Sequence, residues 1–342
     1  MKKKVFITGG AGFIGSNAAY YFLKKGYNVT IFDNFSRKGS KLNVEWLKEN
    51  FKQGLTVVKG DVTKDVKKIA EEMRGAYLIL HLAGQVAVTT SVVNPREDFE
   101  VNALGTFNAL EAVRMTGEKP IFIYSSTNKV YGGLEDLSVS ETKTRYTFKN
   151  MPEGVSEERG VDFHSPYGCS KGAADQYVRD YSRIYGLNTI VFRQSCIYGP
   201  RQFGVEDQGW VAWFLIALAQ GKNITIYGNG KQVRDLLYVE DLVKAYEMAA
   251  AHIERTKGHI YNIGGGAQNT LSVWVEFKPI LEKLFGKKIK TNTADWRPGD
   301  QPIFIADIRK AKKEFGWEPQ VNVEEGVAKL YQWVTSHKHF WQ

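Results

Sequence analysis

The fold is decided by residues 4–15, which read KVFITGGAGFIG. A β-branched run leads into closely spaced glycines, and an apolar run with helical spacing follows. This order predicts a strand, a tight turn and a helix whose first N–H groups are free. Glycines let the backbone approach a pyrophosphate, and the amino terminus of a helix attracts that anion. The stretch therefore predicts a dinucleotide-binding turn, with contacts from Gly9, Gly12, Phe13 and Ile14.

An acidic residue at the end of the second predicted strand supports the same interpretation. Asp33 follows the turn by about 20 residues, a distance typical of the carboxylate that accepts hydrogen bonds from the ribose hydroxyls. Because it would repel a 2′-phosphate, NAD is favoured over NADP, although Arg37 leaves NADP open. Asp33 could instead cap a turn. Asp61, after the third predicted strand, is placed to meet the adenine edge.

Short β-branched runs alternate with amphipathic stretches through the first 130 residues. Alternation of this kind predicts parallel strands in a doubly wound, Rossmann-type α/β sheet. A helix is expected at residues 102–113, and another at 167–185 with a strand at 189–192 extends the pattern. The five earlier strands are predicted at residues 5–7, 29–32, 55–58, 77–80 and 121–124.

The alternation loosens after about residue 198, where Gly-Pro, Gly-Asn-Gly and Arg-Pro-Gly loops follow. We therefore predict an NAD-binding domain over residues 1–195 and a smaller substrate-binding α/β lobe over 196–342, with the chain crossing between them more than once. The polar stretch 135–165 interrupts the pattern and is expected to be a long loop that flanks the site.

Composition limits the function classes. The net charge of +9 comes from scattered basic residues, which favours a small anionic partner over nucleic acid, because no helix-turn-helix or aromatic-studded basic module is present. No apolar run reaches the roughly 20 residues of a membrane helix, and the amino-terminal lysines are followed by no export signal. Two cysteines form no disulfide framework, so a cytoplasmic protein is expected. No metal site is predicted.

Two hydroxyl-bearing segments indicate the chemistry. Tyr167 and Lys171 are four residues apart, so a helix places them on one face, where the ammonium could lower the pKa of the phenol. In isolation this spacing would indicate an ordinary surface pair. Thr127, however, follows the fifth predicted strand, where its hydroxyl could bond the reacting oxygen. Because Thr127, Tyr167 and Lys171 occur together in this order along the chain, each is better supported as a catalytic residue than it would be alone.

With these motifs, residues 4–334 resemble the extended short-chain dehydrogenases/reductases of the nucleotide-sugar epimerase and dehydratase group. The resemblance implies that Thr127, Tyr167 and Lys171 form a catalytic triad around tightly bound NAD. Segments 230–235 and 297–300 resemble those whose arginines hold a substrate diphosphate. The cofactor contacts that it implies are Gly9, Gly12, Phe13, Ile14, Asp33, Asn34, Ser36, Arg37, Asp61, Val62, Leu82, Ala83, Gly84, Gln85, Asn102, Tyr167 and Lys171.

The residues after Thr127 argue against elimination of water. Dehydratases of the family carry Thr-Asp-Glu where this chain has Thr127, Asn128 and Lys129. An amide does not titrate, and an ammonium is not a carboxylate base. Oxidation to a ketone and return of the hydride to either face remain, which indicates an epimerase, with a net reductase as the weaker alternative.

Segments 81–91, 125–132, 162–176 and 207–210 are similar to those of a smaller group within the family, whose members invert C2 of CDP-activated hexoses. Paratose and glucose are both candidate sugars, and glucose would give mannose. The implied path is oxidation to a 2-keto sugar, rotation and hydride return. Cys196 departs from the asparagine of many relatives, so one phosphate contact stays unassigned. The substrate contacts implied are Gln85, Thr127, Asn128, His164, Gln208, Tyr227, Arg234 and Arg297.

Several alternatives stay open at this stage. Tyr227 could stack on the base or simply pack at a strand end, His164 could contact the sugar or only its own backbone, and Trp210 and Trp213 could line the pocket or the core. A UDP-sugar 4-epimerase and a non-catalytic NAD-sensing regulator also remain possible. The family pairs two long helices per subunit, here about residues 102–115 and 167–185, which implies a homodimer or homotetramer.

Overall fold

A seven-stranded, entirely parallel sheet organises the chain, and the computed structural model describes residues 2–297 and 300–341. The strands are β1 (Lys4–Thr8), β2 (Asn28–Asp33), β3 (Leu55–Lys59), β4 (Ala76–His81), β5 (Ile121–Thr127), β6 (Val139–Glu141), β7 (Tyr146–Phe148), β8 (Asn188–Gln194), β9 (Cys196–Tyr198), β10 (Ile224–Tyr227), β11 (Val233–Tyr238), β12 (Ile260–Ile263), β13 (Thr270–Ser272), β14 (Thr291–Ala294) and β15 (Ile303–Phe304). The main sheet has the order β3-β2-β1-β4-β5-β8-β12.

Helices cover both faces of this sheet, because βαβ crossovers place them there. The helices are α1 (Phe13–Lys24), α2 (Ser40–Asn50), α3 (Val66–Met73), α4 (Val88–Val93), α5 (Pro95–Phe99), α6 (Gly105–Thr116), α7 (Ser165–Tyr185), α8 (Trp210–Ala219), α9 (Val239–Ala251), α10 (Ile253–Thr256), α11 (Phe277–Phe285), α12 (Arg309–Phe315) and α13 (Val323–Ser336). Within the residues that the structure describes, no helix is both long and apolar enough to cross a membrane.

The predicted doubly wound α/β fold is confirmed, and the six predicted strands are found with one to three additional residues each. The predicted helix at 167–185 begins two residues earlier, at Ser165. The predicted helix at 102–113 is less regular: a π-helical turn, Glu100–Leu104, precedes α6. Single π turns are frequent at functional sites, and this one carries Asn102.

The expectation of a long loop at 135–165 is wrong in part. The stretch contains the antiparallel pair β6 and β7, whose apolar residues pack against β11 and β15. Both strands have only three residues, and the polar side chains around them hide their alternation in the sequence.

The carboxyl-terminal part forms a second layer beside the carboxyl ends of the main strands. There β11 pairs with β13, β15 and β9, and β10 pairs with β14. The chain returns to the main sheet at β12, and α9 packs on the same core as α1. The division at residue 195 stays a prediction.

Candidate active site

The glycine turn has the shape that a pyrophosphate requires. Gly9 has a φ of +67°, and a Cβ there would lie 2.7 Å from the backbone nitrogen of Ala83. A Cβ on Gly15 would lie 2.3 Å from the carbonyl oxygen of Gly9, so the first turn of α1 can pack on the loop only with glycine. Gly12 occupies the N-cap position and brings no side-chain cap. The N–H groups of Phe13 and Ile14 therefore begin a helix whose positive end is open to an anion.

Asp33 lies beside this turn, at the end of β2. Its carboxylate accepts hydrogen bonds from the N–H groups of Ala11 (3.0 Å) and Phe35 (2.8 Å). Asp33 therefore does cap the turn, but each of its carboxylate oxygens keeps a lone pair that can accept a hydrogen bond from a ribose hydroxyl. Burial raises the pKa of Asp33 above its ordinary value.

The loops after β2 and β3 form the wall where an adenine would lie. The side-chain carbonyl of Asn34 accepts from the N–H of Ser36 (3.0 Å), and its amide faces Asp61 (3.4 Å). Asp61 accepts from the N–H and hydroxyl of Thr63, which help to lower its pKa against burial. The carbonyl of Val62 accepts from the Asn108 amide (2.9 Å).

The segment after β4 is anchored to the first strand and to the π turn. The N–H of Leu82 donates to the Thr8 carbonyl (3.1 Å), and Ala83 to the Thr8 hydroxyl (3.3 Å). Asn102 accepts from the N–H of Gln85 and donates to its carbonyl, both at 3.0 Å. A Cβ on Gly84 would lie 3.1 Å from Asn102 Oδ1 and 3.9 Å from Lys171 Nζ. These residues fit a dinucleotide. The terminus of α1 is open to a pyrophosphate, the carboxylate of Asp33 lies beside it, and Gly84 leaves space next to the Lys171 amine.

Gln85 is predicted to contact both cofactor and substrate, but its side chain forms its hydrogen bonds within the protein. Its amide donates to the Ala87 carbonyl (2.8 Å) and to Asp98 (3.1 Å), and its oxygen accepts from the N–H of Ala87.

Tyr167 on α7 hydrogen-bonds with Thr127 at the end of β5, and Lys171 follows Tyr167 by about one turn of the same helix. Lys171 Nζ donates to the Ser125 carbonyl (2.5 Å) and lies 4.3 Å from the centre of the Tyr124 ring. Tyr167 is anchored through its N–H, which donates to the Ser91 hydroxyl (3.1 Å).

The expectation that Lys171 lowers the pKa of the phenol needs correction. Burial raises the pKa of Tyr167 to about 12, and the hydrogen bond with Thr127 and the charge of Arg37 act against that rise. Burial also lowers the pKa of Lys171 to about 7, against the charges of Asp175 and Asp98. Burial therefore favours the uncharged form of both side chains, and nearby charges must restore the ionised ones.

Sequence reasoning missed a layer of polar residues behind this pair. Asp175 forms a buried bidentate ion pair with Arg193 (2.9 and 3.1 Å) and accepts from the Ser126 hydroxyl (2.9 Å). Asp98 accepts hydrogen bonds from the side chains of Ser170 and Asn102. The spacing Asp98–Asn102 and Lys171–Asp175, four residues each, is the signal that could have revealed them.

Arg234, one of the two arginines expected at the diphosphate, lies on β11 near Lys129 and Cys196. Arg234 is buried, and its Nη2 donates to Asp300 (2.5 Å) and to the Gln301 carbonyl (2.7 Å). Burial lowers the pKa of Lys129 to about 8, and the charge of Arg234 lowers it further. Cys196 accepts from the Trp210 indole (3.2 Å). Asn128 follows Thr127 in the turn after β5, and Pro298 and Gly299 of the predicted diphosphate segment lie outside the described residues.

The expected base site forms a separate stack. The Arg297 guanidinium lies 3.9 Å from the centre of the Tyr227 ring and pairs with Asp207 (3.0 Å). Gln208 accepts from Arg37 Nη1 (2.9 Å), which joins the substrate lobe to the cofactor loop. Trp210 and Trp213 pack on the core of the second layer.

His164 is the weakest of the predicted contacts. It precedes α7 at the N-cap position, and its Nε2 lies 3.1 Å from Asp162 Oδ2, with both side chains exposed.

The chain is similar over nearly its whole length to enzymes that act on nucleotide sugars. The family model described as GDP-mannose 4,6 dehydratase matches residues 6–330. A CDP-paratose 2-epimerase of Salmonella typhi is 47% identical, over 97% of this chain and 99% of that protein.

Solved structures agree with this similarity. A dTDP-glucose 4,6-dehydratase from Streptomyces venezuelae with NAD bound has a TM-score of 0.84 at 27% identity, over 99% of both chains. A UDP-glucuronic acid 4-epimerase from Bacillus cereus in complex with UDP-glucuronic acid and NAD has a TM-score of 0.83 at 26% identity, over 97% of this chain and 99% of that one. The chain belongs to the GDP-mannose 4,6-dehydratase family, within the NAD-dependent nucleotide-sugar epimerases and dehydratases.

Proposed function

We propose that the protein is an NAD-dependent epimerase that inverts C2 of a CDP-activated hexose, CDP-paratose in the first place. The observation that carries this proposal is the pairing of a buried Tyr167 with Thr127 at a site where Asn128 and Lys129 follow. Such a site can remove and return a proton on a hydroxyl, but it offers no carboxylate pair for elimination. The 47% identity to a CDP-paratose 2-epimerase supports the choice of carbon and of nucleotide.

The residues of this chain handle the proton and the position of the sugar. Bound NAD would take up a hydride from C2 and return it to either face, and its positive charge would favour the phenolate. Tyr167 removes the proton of the C2 hydroxyl and returns it after the sugar has turned. Thr127, which hydrogen-bonds with Tyr167, orients that oxygen, and Lys171 stabilises the phenolate as an ammonium.

The nucleotide must stay fixed while the sugar turns. We assign this role to Arg234 and Arg297, because guanidinium groups match diphosphate oxygens. Arg234 is buried and lies near Lys129, and this burial strengthens its attraction for an anion. Arg297 lies over the Tyr227 ring, and we assign both side chains to the nucleotide end of the substrate. Gln208 and His164 stay proposed sugar contacts.

The assembly and the compartment are proposals as well. The exposed apolar side chains Leu104, Phe107, Met115, Tyr177, Ile184 and Tyr185, here called the α6/α7 face, support a homodimer formed by helices. Both cysteines are free thiols, which suits a reducing cytoplasm.

The test is proton NMR of CDP-glucose and CDP-paratose with the purified protein in deuterated water. The 2-epimer should appear without deuterium at C2, since the hydride does not exchange with solvent. The matched control is the Tyr167→Phe variant, which should give no product. Deuterium at C2 would indicate proton abstraction from carbon instead and would contradict the mechanism. Turnover of UDP-glucose but neither CDP-sugar would identify a 4-epimerase, and no turnover with NAD supplied would favour a regulator.

A further inference from the structure

A buried carboxylate outside the Thr127, Tyr167 and Lys171 triad lies behind the catalytic helix. Asp98, on α5, is fully buried. Its Oδ2 accepts from the Ser170 hydroxyl, and its Oδ1 accepts from the amides of Asn102 (3.1 Å) and Gln85 (3.1 Å). Ser170 is the residue before Lys171, and Asn102 is the residue of the π turn that holds the cofactor segment. One carboxylate therefore links α5, the π turn, the strand-end segment and α7.

The charge of Asp98 has no cationic hydrogen-bond partner within residues 2–297 and 300–341. Its three donors are a hydroxyl and two amides. The other carboxylate near Lys171, Asp175, shares its charge with Arg193 in a bidentate pair. Lys171 Nζ itself donates to a neutral carbonyl, that of Ser125. The negative charge that acts on Lys171 therefore comes from two buried carboxylates, Asp175 first and Asp98 second.

We propose that Asp98 is a positioning residue that holds Ser170 and Asn102 in place and, together with Asp175, supplies the negative charge that faces Lys171 on the catalytic helix. This inference rests on the proposed function for its catalytic consequence only. The structural part, a coupling between Asp98 and Lys171, can be tested without turnover.

The direction of the effect follows from the groups that face the pair. Asp98 and Asp175 raise the pKa of Lys171 against burial, and Asp98 also raises that of Tyr167. Arg37, from the loop after β2, lowers the pKa of Tyr167. Tyr124 on β5 stays neutral because burial raises its pKa well above the ordinary value, and His81 on β4 stays neutral because burial lowers its pKa to about 3.

The first experiment is the pH profile of kcat for the Asp98→Asn variant with NAD and saturating substrate. Asparagine can still accept from the two amides and donate to Ser170, so packing changes little while one negative charge is lost. Removing that charge lowers the pKa of both Tyr167 and Lys171, so both limbs of the profile should move to lower pH, by about one unit. The matched control is Glu100→Gln, which removes an exposed charge paired with Arg96 and should leave the profile in place.

A purely structural role would reduce kcat without moving the profile, and that result would overturn the proposal. An unchanged profile with unchanged kcat would overturn it equally.

The second experiment is a double-mutant cycle on thermal stability, with Asp98→Asn and Lys171→Met alone and together. At pH 6, where Lys171 is charged, Asp98→Asn should lower Tm more in the wild-type background than in Lys171→Met. At pH 9, above the pKa of Lys171, the difference should vanish. Additive effects at both pH values would contradict the coupling even if the protein proved inactive toward CDP-sugars. If Asp98→Asn alone does not fold, the double variant should, and its failure would also overturn the proposal.

Discussion

At the scale of single residues, burial opposes the ionisation that the chemistry needs. Burial raises the pKa of Tyr167 to about 12, which keeps the phenol neutral, and lowers the pKa of Lys171 to about 7, which leaves the amine only partly charged at neutral pH. The ionised pair becomes accessible only because charges are fixed around it: Arg37 on the phenol side, Asp175 and Asp98 on the amine side. Such opposed shifts are typical of a proton-transfer site, in which small changes of charge alter the protonation state.

Tyr167→Phe should lower kcat roughly 10²–10⁴-fold, because proton transfer by a positioned side chain contributes about that much. The phenyl ring fills the same buried space, so titration calorimetry should find substrate binding nearly unchanged. Tyr181→Phe is the matched control, since it removes a phenol of the same helix that bonds Glu111 instead (2.8 Å). Near-normal turnover of Tyr167→Phe would exclude this tyrosine from the chemistry.

Arg234→Ala should raise KM for the CDP-sugar roughly 10–100-fold, with a smaller change in kcat. A hydrogen bond to a charged group contributes about 1.5–3 kcal/mol, and the diphosphate presents several charged oxygens. The control is Arg309→Ala, which removes an exposed guanidinium from another Arg–Asp pair, that with Asp307. The measurement is steady-state kinetics, and an unchanged KM would show that Arg234 does not bind the diphosphate.

At the scale of elements, the glycine turn and α1 form one unit. The helix can begin directly after the loop because Gly15 lets its first turn rest on the Gly9 carbonyl. The same close approach leaves the helix terminus without a side-chain cap.

Gly15→Ala tests this packing without straining φ. Its Cβ would lie 2.3 Å from the Gly9 carbonyl, so the loop must shift. Overpacking of this kind costs about 1–3 kcal/mol, and we expect NAD affinity to fall roughly 10–100-fold. Gly160→Ala is the control, because its Cβ would meet nothing within 4 Å. Retention of NAD through gel filtration by Gly15→Ala at the wild-type level would contradict the packing argument.

The same elements show which features can be predicted from the sequence and which cannot. The alternation of short strands with helices predicted the α/β fold, and the glycine turn, Asp33 and the Tyr167–Lys171 spacing indicated the family, since each of these signals is local in the sequence. For Asp98 the only local signal is its four-residue spacing from Asn102; its contacts with Gln85 and Ser170 come from separate segments and need the fold. The π turn that brings Asn102 inward has no sequence signature, and the three-residue strands β6 and β7 are too short to show a period.

At the scale of the whole molecule, apolar side chains remain exposed where α6 and α7 lie side by side. Ile184 is 67% exposed and Met115 53%, and Phe107 packs edge-on against Tyr177, which is itself half exposed. Clustered apolar exposure of this kind marks an interface more often than a free surface. Tyr167 and Lys171 lie at the other end and on the inner face of the same α7, so the interface and the catalytic pair share one helix.

Ile184→Glu should therefore convert the protein from a dimer or tetramer to a monomer. A carboxylate at the centre of an apolar contact must be desolvated without a partner, which opposes association. Light scattering after gel filtration should give the mass of one chain for the variant and a multiple for the wild type. Lys67→Glu, an acidic substitution on the exposed side of α3, is the control and should leave the mass unchanged. A wild-type protein that is already monomeric would reject the α6/α7 face as an interface, and an Ile184→Glu protein that stays assembled would move the interface elsewhere. Because α7 carries Tyr167 and Lys171, a monomer with lower Tm and lower kcat would show that association also stiffens the catalytic helix.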